Sequence, residues 1–481
     1  MCYELSSRLR ACVVLLCLAL LLLCVSTAAA DPKPLTKEEQ AKIDQAIDKA
    51  VAKLKRFQTR RGDWPTGQWR TTYPVGQCAL PAYALLEAGV QGDDPVVQKA
   101  AAFIRPKLRR LEKTYELSLA VLFLARLGDS KDKKLIQTLA LRLIAGQHRT
   151  GGWNYRCPTL SAENETALLK LLEELEKQMT TRGKSRTEAV KDLDIPRALN
   201  PLTIFQDPRL LWIEPPPEST GSTQMLFQGL TDNSNTQFAM LALWVARRHG
   251  VPLEPTFRLM VERFVRSQQA DGWWPYGSGQ KLVSRSMICV GLMGLAIGRG
   301  LRLPMPGKNK PGEEDLRILK GLVALYQEVG IPRRQMKRTV PLQDYYFLWS
   351  VERVAMLYDL PTLGDKEWYR WGAESLVTNQ EPGGEWLKRA TLGPKDFVIV
   401  NYGPVLNTAF ALLFLKHSHP MKELTPKLPF TAKELNQGIA RLREADNQGI
   451  GRSREGDKLR GTTATSRDSK IPEKKSKKGD P

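Results

Sequence analysis

A chain of 481 residues that is 42% hydrophobic and holds 11 Trp can bury a large core, which excludes a disordered chain or a stapled mini-domain. The net charge of +21 would suit nucleic acid, but the basic residues are spread along the chain rather than gathered in an aromatic-interleaved stripe. No specific nucleic-acid partner is therefore expected, only weak contact with an anionic envelope surface.

The first element is an apolar leader. Arg8 and Arg10 precede "ACVVLLCLALLLLCV", and small residues lead to Ala28 and Ala30. This reads as a signal peptide over residues 1–30, cleaved at about Ala30, with the body periplasmic or extracellular. An uncleaved membrane anchor is the alternative reading, since 11–30 is about long enough to span a bilayer. Four of the seven cysteines belong to this leader. Cys78, Cys157 and Cys289 remain, enough for one bridge or for three buried thiols.

Thr36-Lys37-Glu38-Glu39 then has the form of a capping box opening a helical array. The 3.6-residue periodicity predicts two alternating kinds of helix. Amphipathic, charged segments fall at roughly 43–58, 94–111, 132–148, 256–269, 313–330 and 365–380. Segments apolar all round fall at roughly 75–89, 115–128, 235–248, 284–298, 345–358 and 403–416. A helix with one wet face suits an outer layer, and an apolar one suits an inner layer. The predicted fold is all-α, a closed (α/α)6 toroid of six hairpins over residues 31–430. No obviously polar capping repeat is present, so closure is favoured over an open solenoid. Residues 156–231 interrupt the third hairpin as an insertion, a lid or a spacer. Residues 431–481 form a basic tail with thirteen Lys/Arg against eight Asp/Glu, mostly disordered.

One pattern, Gln-x-x-x-Gly-x-Trp, recurs four times: Gln58/Gly62/Trp64, Gln147/Gly151/Trp153, Gln268/Gly272/Trp274 and Gln380/Gly384/Trp386. Each copy ends an amphipathic segment, so its Gln and Trp are read as structural. These repeats resemble the QW motifs of squalene and hopene cyclases. The alternating helices resemble the α/α toroid that those enzymes share with protein prenyltransferase β subunits. The likeness spans roughly residues 40–420 and implies the fold more strongly than any activity, because such toroids also serve as complement thioester domains and polysaccharide lyases.

In the cyclases a DxDDTA segment opens an inner helix, and its middle Asp protonates the isoprenoid. The matching stretch here is "DNSNTQFAMLAL": Asp232 stands at the first Asp, Ser234 at the acid and Asn235 at the third place. Neither Ser nor Asn can protonate an alkene, so the resemblance implies a scaffold without the cyclase acid. Asp232 is a weak catalytic candidate, and its residue type is also what a helix N-cap selects. The prenyltransferases bind zinc through Asp, Cys and His. The nearest segment here, around Cys289, has no His, and neither metal nor cofactor is expected.

The leading residues of the inner helices should line one end of the barrel. They include Tyr73 and Gln77, Tyr115 and Glu116, Asp232 and Asn235, Ser284 and Ser286, Tyr345 and Tyr346, and Asn401 and Tyr402. Trp153, Tyr155, Trp274 and Tyr276 follow the repeat turns nearby. Glu352, beside Arg353, is a charge on an inner helix, read as half of an ion pair. Such a wall suits an apolar, amphipathic or glycan ligand, or a protein partner. The expectation is a non-catalytic binder; the alternative is an enzyme on the same scaffold with relocated catalytic residues, isoprenoid cyclase-like or polysaccharide lyase-like.

Overall fold

The computed structural model describes residues 33–64, 72–181, 183, 231–277, 284–303, 313–330, 333–335, 338–340, 343–387, 403–417, 420–428 and 431–447. The segment read as a signal peptide, most of the stretch 156–231 read as an insertion, Asn401, Tyr402 and residues beyond 447 lie outside the described residues. No helix among those described is long and apolar enough to cross a membrane.

The fold is helical. The outer helices are α1 (Lys37–Phe57), α3 (Pro95–Ile104), α5 (Lys133–Ala145), α8 (Glu254–Ser267), α10 (Glu313–Glu328) and α12 (Trp368–Asn379). Between them run the inner helices α2 (Pro74–Glu87), α4 (Thr114–Leu127), α7 (Asn233–Ala246), α9 (Arg285–Gly300), α11 (Tyr345–Leu357) and α13 (Pro404–Leu415). Three elements fall outside this alternation. Helix α6 (Ala162–Thr181) packs on α5, a two-stranded antiparallel hairpin pairs Arg333–Gln335 with Arg338–Val340, and α14 spans Ala432–Asn447.

Sequence explains the layering. Helix α1 starts at Thr36, whose hydroxyl accepts from Glu39 N while the Glu39 carboxylate accepts from Thr36 N, and it buries only the stripe Ile43, Ala46, Ile47, Ala50, Leu54 and Lys53. Every residue of α7, by contrast, is buried. Among the inner helices α2 packs on α4, α4 on α7, α7 on α9, α9 on α11, α11 on α13, and α13 returns to α2. The contacts therefore run in a closed circuit.

The repeated Gln-x-x-x-Gly-x-Trp turns do the same three jobs in each copy. First, the indole Nε1 donates to a carbonyl ten residues earlier: Trp64 to Leu54 O, Trp153 to Leu143 O, Trp274 to Phe264 O and Trp386 to Leu376 O, at 2.7–2.8 Å. Those carbonyls sit in the last turn of an outer helix, where no intrahelical donor remains. Second, the glutamine Nε2 donates to the next outer helix, Gln58 to Val96 O, Gln147 to Thr256 O, Gln268 to Arg317 O and Gln380 to Ala46 O. Third, the glycine lets the turn touch that neighbour. Gly151 has φ 79°, and a Cβ there would lie 2.0 Å from Leu259 O; Gly384 has φ 94°, and a Cβ would lie 2.4 Å from Lys49 O. Both the conformation and the contact demand glycine.

Outer helices α3 and α10 lack the motif, and a cation from the next outer element caps them instead. Arg142 of α5 donates from Nη1 to Leu108 O at 3.1 Å, within the 3-10 turn (Arg105–Arg110) that extends α3. Lys366, just before α12, donates to Tyr326 O and Val329 O at 2.6 and 2.5 Å. Positive charge also suits a helix C-terminus.

The chain forms two compact units, one up to Ile439 and a second that begins at Ala440. The sequence reading placed 431 onward in the tail, yet residues 432–447 are helical, because Leu435 and Ile439, four apart, share an apolar face and are buried, while Asn436 bonds Gly364 N and Thr362. Cys78, Cys157 and Cys289 are free and buried.

Removing an indole deletes both a large core side chain and a helix cap. Trp153→Ala and Trp386→Ala should each cost about 3–5 kcal/mol in denaturant unfolding. Unfolding midpoints equal to wild type for both would overturn the capping role.

Candidate functional site

The leading turns of the inner helices surround a cavity of about 200 Å³. Its wall is Tyr73, Gly76, Gln77 and Leu80 from α2 and its approach, Tyr115 and Leu119 from α4, Ser234 and Phe238 from α7, Tyr346 from α11, and Leu406 and Phe410 from α13. Tyr155 and Tyr276, each two residues beyond a repeat Trp, complete it. Helix α9 contributes nothing to this wall; it carries Gly291, where a Cβ would lie 2.2 Å from the Trp274 ring, and so serves close packing.

The rings touch in a chain. Tyr115 meets Tyr73 edge-on at 5.9 Å and Phe238 at 5.3 Å; Phe238 stacks at 5.5 Å on Trp349, which meets Phe410 at 5.1 Å. The offset and edge arrangements are those that aromatic quadrupoles favour. Beneath them the Arg353 guanidinium lies 3.3 Å from the Trp349 ring centroid and donates to Trp349 O. Glu352 and Arg353 are both fully buried, with Oε2 and Nη1 3.7 Å apart, so this pair backs the floor without entering the cavity. Burial lowers the Arg353 pKa to about 10.

Hydroxyls occupy the other side. Tyr115 OH donates to Ser234 Oγ at 2.9 Å, Ser234 Oγ lies 3.2 Å from Tyr346 OH, and Tyr346 OH donates to Gln237 Oε1. Burial, aided by the nearby Asp232 carboxylate, pushes Tyr276 up to about 12 and Tyr115 and Tyr155 upward as well. All are neutral hydrogen-bonding groups near pH 7. Among the described residues no lining side chain bears a formal charge. One polar group on the wall has no internal partner: Gln77 is 3% exposed, and neither its Nε2 nor its Oε1 is hydrogen-bonded.

Of the wall expected from sequence, Tyr115, Tyr155, Tyr276 and Tyr346 come together here, with Tyr73 and Gln77. Several others stand behind it for identifiable reasons. Glu116 Oε1 accepts from Val75 N and Gly76 N, at 2.7 and 3.3 Å, and so caps α2, whose own N-cap residue Tyr73 supplies no side-chain cap. Trp153 and Trp274 are fully buried helix caps, and the Tyr345 hydroxyl donates to Leu387 O. Asp232 is the N-cap of α7. Its Oδ1 accepts from Asn235 N at 2.6 Å and its Oδ2 from Asn235 Nδ2 at 2.8 Å. Burial raises its pKa from 3.8, against the lowering effects of the Asn235 donors, the Tyr155 hydroxyl and Arg263. Leu80, Leu119, Phe238, Leu406 and Phe410 were not anticipated. Leu80, Leu119 and Phe238 lie three or four residues along from Gln77, Tyr115 and Ser234, so a further helical step on the same face finds them.

Among the described residues no group of three or more His, Cys, Asp or Glu gathers as a metal site. No protein-family model matches the chain, and no curated protein does. Among the solved structures similar to it are two that share one fold. Both are of the type II terpene cyclase MstE from Scytonema, one in complex with merosterolic acid A and one with geranylgeranyl dihydroxybenzoate. They are 13% and 12% identical, each match covers 82% of this chain and 100% of the other, and the TM-scores are 0.45 and 0.43.

The capping role of Asp232 yields a stability prediction. Asp232→Asn keeps a cap acceptor, and the free Asn235 Oδ1 can accept the new amide, so it should be nearly neutral near pH 4, whereas Asp232→Ala should cost ~1 kcal/mol. Because folding raises the carboxyl's pKa, the stability tied to its protonated form is full below the unfolded value and fades as pH rises through the folded one. The Asn variant should therefore gain on wild type from pH 4 to pH 7 in urea unfolding. A gap that narrows over that range would contradict the assignment.

Proposed function

We propose that this protein binds a small apolar or amphipathic ligand in the central cavity of its helical barrel, without cyclase chemistry. One observation carries the reading: a concave wall of aromatic rings and leucines, broken only by neutral hydroxyl and amide groups. Size narrows the ligand. A cavity of about 150 Å³ holds one benzene, so about 200 Å³ suits one ring or a short branched chain and is far too small for squalene. The absence of a cyclase acid is supported by Ser234 on the wall, where the resemblance calls for a carboxylic acid. Export of the mature chain belongs to the same reading and rests on the leader alone.

An acid-catalysed reaction is the second reading, favoured by the raised pKa of Asp232 and its hydrogen bond from Tyr155 at the cavity's rim. Products from squalene or shorter polyprenes, detected by gas chromatography and lost in Asp232→Asn, would establish it in place of the first.

Geraniol is a suitable probe for the binding reading. Titration calorimetry should show uptake by wild type and at least a tenfold loss in Leu119→Trp, whose indole fills the cavity, with the fold retained by circular dichroism. Undiminished uptake by that variant would place binding elsewhere. Failure of the wild type to take up geraniol or any component of a lipid extract would falsify the ligand-binding reading.

A further inference from the structure

We propose that Gln77 selects the ligand's head group, and that this head is a carboxamide or a protonated carboxyl; the inference rests on the ligand-binding reading above. The cavity's other polar groups already have partners, since Tyr115 donates to Ser234 and Tyr346 to Gln237. Gln77 does not. The other buried glutamines in the described residues each use at least one amide atom: Gln137 donates to His249 O, Gln178 to Glu174, Gln237 to Ser350 and Gln343 to Asn379. Gln77 alone is buried with both atoms unpaired, and it lies on the cavity wall. A buried amide left unpaired is destabilising, and an apolar residue would serve better if the position only filled space.

The geometry of the amide then specifies what completes it. Along one edge of its amide plane Gln77 presents one N–H donor and one oxygen acceptor side by side, with a second N–H and a second lone pair turned away from that edge. A carboxamide or a protonated carboxyl presents the complementary acceptor and donor and closes two hydrogen bonds at once. An alcohol cannot close both in that plane. A carboxylate has no donor, and among the described residues no Lys or Arg lines the cavity to neutralise it. The apolar tail then lies against Leu80, Leu119, Phe238, Leu406 and Phe410.

Calorimetry with octanamide, octanoic acid and 1-octanol tests this in the full chain. Wild type should bind octanamide at least tenfold more tightly than octanol, the equivalent of one net hydrogen bond. Octanoic acid affinity should fall about tenfold per pH unit above the acid's own pKa, while octanamide affinity stays level. Gln77→Leu, with Gln77→Met as a second variant of similar length, should bind octanol and lose the amide preference. An unchanged preference in both variants would overturn the assignment, as would equal affinity of wild type for octanamide and octanol, which would mean that water alone completes Gln77. Wild type that takes up geraniol yet binds none of the three probes overturns the head-group assignment, whereas failure with geraniol and the lipid extract as well defeats the ligand-binding reading itself, a distinct result.

Discussion

The barrel depends on a constraint that helices cannot satisfy by themselves: each outer helix ends with carbonyls that have no intrahelical donor, and here those ends are packed against neighbours. An indole N–H delivered from ten residues downstream meets that need at four of the six outer helices. The same turn ties the helix to the next outer helix through a glutamine amide, so a local capping requirement is converted into lateral cohesion. Where the motif is missing, Arg142 and Lys366 supply the donor from the following repeat. The constraint is universal, while the residue answering it is not.

This cohesion fixes where the inner helices begin. Trp153 N donates to Thr236 Oγ1 and Trp386 N to Thr408 Oγ1, each in the first turn of the inner helix that follows. The turn that closes an outer helix thus positions the opening of an inner one. Because the cavity is built from those openings, the capping system and the cavity wall are mechanically one structure. Tyr155 and Tyr276 reach the wall only because they sit two residues past capping tryptophans.

Much of this was legible in the sequence. The two classes of helix, their alternation and all twelve approximate positions follow from hydrophobic periodicity, since an outer helix shows one stripe and an inner one has no wet face. The repeat glycines and tryptophans were legible because one physical task recurs four times. The site was only partly legible. Aromatic residues at the starts of inner helices could be named, but Glu116 could not be distinguished from a wall residue, since its partner is the start of a different helix. Tyr345 likewise meets a carbonyl, Leu387 O, that only the packed chain brings near. Gln77 stood in the expected mouth, yet its significance lies in missing partners, and a missing partner leaves no mark in a sequence.

The bond from Gln380 to Ala46 has a consequence for topology. It joins the last outer helix to the first with the same amide, the same glycine contact and the same indole cap that join helices consecutive in the chain. The ring therefore has no preferred starting hairpin, and its cyclic order is independent of the linear order in which the hairpins are synthesised. A cut in the exposed turn around Gly89 would leave every one of these lateral bonds in place, since none of them passes through that turn.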